Sequence, residues 1–533
     1  MEIGRLRERY AAINARKAAL WLWAVFSAYV IARSWVSEDA YITFRVVDNF
    51  FRGYGLRWNI SERVQVYTHP LWLLLHIPLR VFIPNLFIVS IVLSVLCTCG
   101  AMLLTLKAMP RSLAVTFVFF FLPMMASKCF FDFTTGGLEN ALFYLLYAAF
   151  GFVLLRLYHH PRFWLALSLI SALILLNRLD TLLFIAPALG WVAWARWRDI
   201  RWRQVWVGAS PLIAWFCFAF FYYGFFLPNT KYAKLDTNID PMNYVNEGWH
   251  YFRHLLGMDT ASSLLLLALP VLALPAVRAV RPLRNPQAML PLMLALGVWL
   301  YSLYIINIGG DYMIGRFWAL PVWSAIWLLY VFLPPLPAAH MATIAAVLAL
   351  TSPVVLNPLR DKFPEITVHR WRMDDARHVF GGNTLFHGFW PPRINTQANH
   401  KFVGWGKNVA KIPPPHAEKA HYIGMLGYYA GPQAHIIDEV ALADALLSHL
   451  PVPPHRPFYI GHFYRAVPDG YLEAVKTGDL SGLDPSLRQY YQKLKTITSG
   501  ELWSLERLKT IVEFNLGAYD RWKYEFLHCN VWA

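Results

Sequence analysis

Apolar stretches almost free of charge recur along the first two thirds of the chain, over 18–36, 70–106, 112–130, 138–155, 163–177, 181–195, 204–227, 261–277, 287–308, 317–333 and 338–357. Most approach the ~20 residues that carry a helix across a bilayer. The stretch 70–106 is too long for one crossing, and Pro78, Arg80, Pro84 and Asn85 interrupt it. It reads as an interfacial helix over 70–84 followed by a span over 86–106. The pattern predicts about eleven spanning helices. Residues 163–195 are short for two of them, yet Asn177, Arg178 and Asp180 at their centre are expensive inside lipid. Placing those three at the outer turn of a hairpin removes the cost. From about 358 the pattern changes. No spanning run remains, and Pro, His, Lys and Asp become frequent. Strand-like pieces at His435–Ile437 and Phe458–Ile460 alternate with helical ones near 440–450, 486–496 and 502–515. The expected architecture is mostly α: a polytopic transmembrane helical domain over 1–357 and a soluble α/β domain over 358–533. No internal repeat stands out.

Composition agrees with a membrane protein. Of the 533 residues, 57% are apolar, 16% aromatic and only 15% charged, which excludes a disordered chain, a coiled coil and a purely soluble enzyme. The formal charge is +16. In this setting it points to positively biased cytoplasmic loops rather than to nucleic acid, because no basic helix or stacking platform accompanies it. Arg5, Arg7, Arg9, Arg16 and Lys17 open the chain; alternate loops carry Lys107 and Arg111, Arg156 and Arg162, Arg196, Arg198, Arg201 and Arg203, then Arg278, Arg281 and Arg284. That alternation puts the N-terminus in the cytoplasm, and an odd number of spans puts the C-terminal domain outside. The first span reads as an uncleaved anchor, since no small-x-small site follows it. Cys97, Cys99, Cys129, Cys217 and Cys529 form no CxxC, so neither a disulfide framework nor a zinc site is indicated. No GxxxxGK[ST] or GxGxxG loop signals a nucleotide site.

With that topology, the mixed-sign polar clusters gather on the outer side. They are Ser37–Arg45 running on to Tyr67-Thr68-His69, then Asp132–Glu139, Asn177–Asp180, Pro228–Lys234 and Gly309–Arg316. Carboxylates and cations at helix ends on one side of a membrane fit a shared pocket. A carboxylate there deprotonates or positions an acceptor hydroxyl, and Arg or Lys holds a phosphate as a leaving group. Each cluster also has a plainer reading. Glu38 and Asp39 fit a helix N-cap, Gly309-Gly310-Asp311 a turn, Lys231 and Lys234 solvated loop charges, Arg178 with Asp180 a hairpin pair, and Glu139 a charge favoured by a helix N-terminus.

The order Glu-Asp-Ala-Tyr-Ile-Thr-Phe-Arg over 38–45, followed by Gly53-Tyr54-Gly55-Leu56 and Tyr67-Thr68-His69-Pro70-Leu71-Trp72, resembles the GT-C glycosyltransferases. More narrowly it resembles the bacterial arabinofuranosyltransferases that use polyprenyl-phosphoryl arabinose. The likeness continues through Gly137-Leu138-Glu139, Pro228-Asn229-Thr230, Gly309-Gly310-Asp311 and Gly315-Arg316-Phe317. In the tail it touches Gly427-Tyr428-Tyr429, Ile437-Asp438, Leu442-Ala443-Asp444, Gly461-His462-Phe463 and Pro468-Asp469-Gly470-Tyr471. The resemblance implies an essential aspartate in the first outer loop, matched by Asp39. Members often carry two adjacent aspartates there, and here the first is Glu38. It also implies a lipid-linked donor entering from the bilayer past 70–84, and a soluble tail that binds the acceptor.

The expected activity is transfer of a sugar, D-arabinofuranose by resemblance, from a polyprenyl-phosphate donor to a hydroxyl of a glycan or protein outside the cytoplasm of a bacterial inner membrane. Asp39 is the expected catalytic carboxylate, assisted by Glu38. Arg316, Arg178, Lys231 and Lys234 are expected to hold the donor phosphate, with Asp311 and Glu139 orienting sugar hydroxyls or those cations. Arg45, Tyr67 and His69 complete the expected donor site. No cofactor or metal is expected. A mannosyl or other hexosyl donor remains an alternative within enzymes, and a sugar or lipid transporter outside them, although transporters usually show repeats and mid-bilayer binding residues.

Overall fold

The computed structural model describes residues 2–278, 286–334, 336–352, 354, 373–387, 393–453 and 459–530. Among them the chain is mostly helical, with two small two-stranded sheets. It divides into two compact units. Unit 1 comprises Met1–Val36, Ile83–Pro211 and Met242–Thr396; unit 2 comprises Ser37–Phe82, Leu212–Pro241 and Gln397–Ala533. The expected domain boundary at 357/358 lies outside the described residues.

Helices lie under each of the apolar runs: α1 (Glu2–Ala32), then, after α2 (Ala40–Phe51), α3 (Pro70–Phe82), α4 (Leu86–Ala108), α5 (Asn140–Arg156), α6 (Phe163–Asn177), α7 (Leu182–Ala195) and α8 (Trp202–Tyr223). After α9 (Asn229–Leu235) and α10 (Pro241–Met258) come α11 (Thr260–Arg278), α12 (Leu290–Asn307), α13 (Ala319–Phe332) and α14 (Ala338–Thr351). Among the described residues, three helical stretches are long and apolar enough to cross a membrane: Leu86–Ala108, Trp202–Tyr223 and Pro286–Asn307. Pro70–Phe82, Leu113–Ala126, Asn140–Arg156, Phe163–Asn177, Leu179–Ala195, Ala319–Phe332 and Ala338–Thr351 are apolar but shorter. Asn85 explains why 70–106 divides where it does. Its side chain accepts from the amides of Phe87 (3.0 Å) and Ile88 (3.3 Å), capping α4 and ending the chain's run from α3.

Two segments depart from the hydrophobic pattern. The run 112–130, expected as one helix, is broken into Leu113–Thr116, a π turn at Phe117–Phe121, Leu122–Ala126 and Lys128–Asp132. The break falls at Ser127, whose backbone is extended (ψ 113°). Buried Asp259 accepts from the Cys129 amide (2.9 Å) and from Ser127 Oγ (3.3 Å), partners that a continuous helix does not offer. Conversely, α10 lies where no apolar run was visible. It buries only Gly248, Tyr251 and Leu255, one narrow stripe at helical spacing, while Glu247, His250, Arg253 and His254 mask it in the sequence. Gly248 is needed there, because a Cβ on it would sit 1.9 Å from the Ile306 carbonyl oxygen.

Within unit 1, α4 packs on α5 with Ser90, Ser94 and Thr98 fully buried at four-residue spacing on α4. Small polar residues allow such close helix approach. Gly151 of α5 accommodates the Trp327 indole, and Gly297 of α12 lies against the Phe184 carbonyl of α7. Phe130, Tyr144 and Trp323 stack in the centre, with ring separations of 5.1, 5.3 and 5.7 Å.

Unit 2 is built on α15 (Lys401–Val409), β3 (His416–Ala420), α16 (Gly424–Ala430), β4 (Ala434–Asp438), α17 (Tyr471–Thr477), α18 (Pro485–Ser499), α19 (Leu505–Asn515) and α20 (Asp520–Asn530); β1 (Phe386–His387) and β2 (Arg393–Ile394) pair antiparallel in unit 1. β3 and β4 pair in parallel, Ala417 opposite His435 and Ala420 opposite Asp438. The core combines Ile437, Leu446, Leu447, Leu487, Leu494 and Ile511 with Val64 and Ala233 from the earlier segments. The expected strand over His435–Ile437 lies within β4; Phe458 is outside the described residues. The expected helix near 440–450 is only a short 3-10 turn at Leu447–His449. Two buried aspartates capture the amides instead: Asp438 accepts from Val440 (3.0 Å) and Ala443 (2.9 Å), and Asp444 from Leu447 (2.8 Å).

Candidate functional site

The candidate residues divide between the units. Unit 2 holds Glu38, Asp39, Arg45, Tyr67, His69, Lys231 and Lys234; unit 1 holds Glu139, Arg178, Asp311 and Arg316.

In unit 2 the carboxylate pair is placed by α2. Asp39 occupies the N-cap position of α2, but its side chain makes no cap hydrogen bond (φ −58°, ψ −29°), so its half-buried carboxylate is not consumed by the helix end. Glu38 is 4% exposed, and its Oε1 accepts from the Met425 amide at 3.0 Å. This brings the start of α16 against it: a Cβ on Gly424 would lie 2.2 Å from the Glu38 carbonyl oxygen and 2.7 Å from Oε1. Burial pushes the Glu38 carboxyl up to about 8, and the adjacent Asp39 charge adds to the rise.

Buried His462 lies in the field of Asp39. The imidazole of buried His462 is held down to about 4, first by burial and then by the Lys234 ammonium, while Asp39 acts in the opposite sense. Gly461, at φ +75°, supplies the left-handed turn here, and its α-carbon faces Lys234 Nζ, 3.4 Å from where a Cβ would stand. Tyr459 stacks on His462 with ring centres 4.8 Å apart. The arrangement gathers a carboxylate, an ammonium and a neutral imidazole, which is a workable set for accepting a hydroxyl proton and steadying an anion. His462 was visible beforehand only as part of the Gly461-His462-Phe463 likeness. It lies too far along the chain from residue 39 for any local spacing to reveal it.

The other unit 2 candidates are engaged structurally. Arg45 donates from Nε to the Trp58 carbonyl (2.8 Å), from Nη2 to the Ala434 carbonyl (2.8 Å) and from Nη1 to the Gly427 carbonyl, with its guanidinium 4.2 Å above the Trp58 ring. It pins α2 to α16 and β4. Tyr67 bonds Tyr223 hydroxyl to hydroxyl at 2.7 Å, and Tyr223 donates on to the Leu56 carbonyl. His69 Nε2 lies 2.8 Å from Thr43 Oγ1 on α2. Lys231 pairs with Asp236 at 2.9 Å in a solvent-facing bridge.

In unit 1, four candidates and Asp180 form one buried network. Arg178, at the C-cap of α6, is bidentate to Asp180 (3.0 and 2.5 Å) and donates to Glu139 Oε1 at 2.9 Å. Arg316 pairs with Asp311 at 3.1 Å and stands 3.9 Å from Glu139. Tyr301 donates to Asp180 at 3.2 Å, and Arg178 lies 4.7 Å over Phe317. Gly310 (φ +73°) is required in the loop because a Cβ would strike the Tyr251 ring at 2.4 Å. Two guanidiniums thus face three carboxylates. The looser of the two Glu139 pairings is that to Arg316, whose closer partner is Asp311.

A second buried network in unit 1 went unrecognised. Lys128 bridges Asp132 and Asp375 (3.1 Å to the latter), and Arg377 pairs with Asp132 at 3.2 Å and donates to the Arg33 carbonyl at 2.7 Å. Trp35 Nε1, three residues beyond α1, donates to the Asp132 carbonyl at 2.6 Å. Lys128 sat inside an apolar run and Arg377 in a segment with no pattern, so only Asp132 was legible. Among the described residues, no group of three or more His, Cys, Asp or Glu is disposed to hold a metal ion.

No family model and no solved structure matches the chain. It is similar to a terminal β-(1→2)-arabinofuranosyltransferase of Corynebacterium glutamicum, 26% identical over 337 residues, covering 55% of this chain and 47% of that protein. It is also similar to a terminal β-(1→2)-arabinofuranosyltransferase of Mycobacterium tuberculosis, 27% identical over 348 residues, covering 58% of this chain and 55% of that protein. The chain spans about half the length of the curated relatives it matches. It is a mostly helical chain with several apolar helices, distantly similar to arabinofuranosyltransferases.

Proposed function

We propose that this chain is a membrane glycosyltransferase of the GT-C type that moves D-arabinofuranose from a polyprenyl-phosphate donor to a hydroxyl of an extracytoplasmic glycan or protein. The observation that carries the reading is the carboxylate pair at the head of α2: Asp39, half-buried, beside Glu38, which is 4% exposed and accepts from the Met425 amide. The similarity to two arabinofuranosyltransferases supports the sugar.

In this mechanism Asp39 takes the proton of the acceptor hydroxyl as its oxygen bonds to the anomeric carbon. The bond from that carbon to the phosphate oxygen breaks, and the electron pair leaves on the polyprenyl phosphate. Lys234 and neutral His462 steady Asp39 and the acceptor. The N-terminus is cytoplasmic, and the residues after the last span lie outside.

The test uses the purified chain with a panel of polyprenyl-phosphate pentoses and hexoses and mass spectrometry of the products. Asp39→Asn is expected to lower transfer by about 10²–10⁴-fold, the range lost with a general base, with an unchanged elution profile. Normal turnover in that variant removes Asp39 from the mechanism; a product only with hexose donors removes arabinose.

A further inference from the structure

Unit 1 contains a hollow that the transfer chemistry does not use. It lies between α1 near Leu20, the last turn of α4 and the connection Pro110–Thr116, and its volume is about 650 Å³, within the range of pockets that hold small ligands. Among the described residues, three cations line it, Arg16, Lys107 and Arg111, and no carboxylate does. Leu20, Leu103 and Leu106 add apolar lining beside them.

Positive residues at the C-terminus of a helix have an ordinary explanation, because they complement its dipole. Here other groups already meet that need. Arg156 donates to the Ala108 carbonyl at 3.0 Å, Tyr330 to the Met109 carbonyl at 2.7 Å, and Arg111 to the Val331 carbonyl at the end of α13. Lys107 and Arg16 are exposed, and among the described residues no ion pair engages either. Beyond the hollow, α1 presents bare apolar surface, with Trp21 72% and Val25 64% exposed. Such a surface is ordinary against lipid tails and unfavourable against water. Along α1, Arg16 is ~24 Å from Ala32, so the hollow is remote from the Trp35–Asp132 end of the same unit.

Three cations with no counter-charge among the described residues, beside apolar lining, is the combination that recognises a lipid phosphate rather than a free sugar or a peptide. The geometry points to a binding site for one anionic phospholipid, its phosphate held by Arg16, Lys107 and Arg111 and an acyl chain laid along Leu20, Leu103 and Leu106. The lipid would wedge α1 against α4 and the Pro110–Thr116 connection. It is a structural ligand, not a sugar donor.

The full chain in nanodiscs of equal phosphatidylglycerol and phosphatidylcholine, released into native mass spectrometry, tests this. One phosphatidylglycerol is expected to stay bound in preference to phosphatidylcholine. Each cation beside a lipid surface contributes a factor of about five, so Arg16→Gln with Lys107→Gln is expected to weaken retention about thirtyfold. The matched control, Arg198→Gln with Arg203→Gln, removes two exposed charges from another loop and is expected to leave retention unchanged. Equal retention of both lipids, equal loss in the control pair, or displacement by millimolar inorganic phosphate each overturns the proposal.

Discussion

Arg178 shows how a single side chain can belong to a network that its sequence neighbourhood announces only in part. Its position at the turn between two short apolar runs put it outside the lipid, and the same reasoning put Glu139, Asp311 and Arg316 at helix ends. The structure brings these together with Asp180. What no spacing revealed is that Arg178 is held by two carboxylates at once, one near in sequence and one from another helix. Arg178→Lys keeps the charge but cannot reproduce a fork that is bidentate to Asp180 and still reaches Glu139. It is expected to cost about 3–5 kcal/mol, as for a broken buried pair, seen as a lowered melting temperature in detergent. A variant as stable as the parent would show that the network contributes no net stability. Arg45 is the opposite case. Its cluster on the outer side suggested a ligand role, but three backbone carbonyls and the Trp58 face occupy it, and carbonyl partners carry no sequence signal.

Among elements, the helices were legible wherever burial or lipid surrounds them, because an uncharged run is then the whole signal. They were illegible where a narrow buried stripe is hidden among charges, as in α10, or where a side chain outside the run intervenes, as Asp259 does at Ser127. The β3–α16–β4 stretch depends on features that only packing exposes. At Gly427 a Cβ would stand 2.4 Å from the Trp58 ring and 3.2 Å from Arg45 Nη1. Gly427→Ala must therefore displace the residues that join α16 to α2, the helix that carries Asp39. The expected cost is about 1–3 kcal/mol, the range for overpacking, with transfer falling further than stability because the carboxylate shifts with α2. Thermal melts and initial rates on the same preparation separate the two effects. An unaffected rate would mean that α16 does not position α2.

At the scale of the molecule, unit 2 concentrates buried acids. Burial raises Glu38 and Glu62 to about 8, Asp438 to about 7 and Asp444 to about 6, while buried His435, His449 and His462 are lowered to about 3, 4 and 4. The folded chain retains protons on the acids that the unfolded chain has released, so their contribution declines as pH rises from the ordinary carboxylate range to about 8. The histidines act the other way, and their contribution is complete by about pH 6.5. The net expectation is a melting temperature that drops between about pH 6.5 and pH 9. A flat or rising profile over that interval would show that these acids are ionised in the folded chain. None of this was foreseeable from composition, since the acids come from two of the three separated stretches that make up unit 2.

The interleaving of those stretches has a practical consequence. The interior surrounding Leu487, Leu494 and Ile511 is completed by Val64 and Ala233, with Phe220 and Phe225 packed alongside. A gene fragment beginning near codon 397 would encode most of that interior while omitting the residues that close it. Such a product is expected to emerge from the ribosome with a bare greasy face and to precipitate, and co-expression of the missing upstream half should rescue it. Anyone hunting for a crystallisable tail, or for a natural split of this gene, should look for cuts that leave residues 37–82 and 212–241 in the same cell as the remainder.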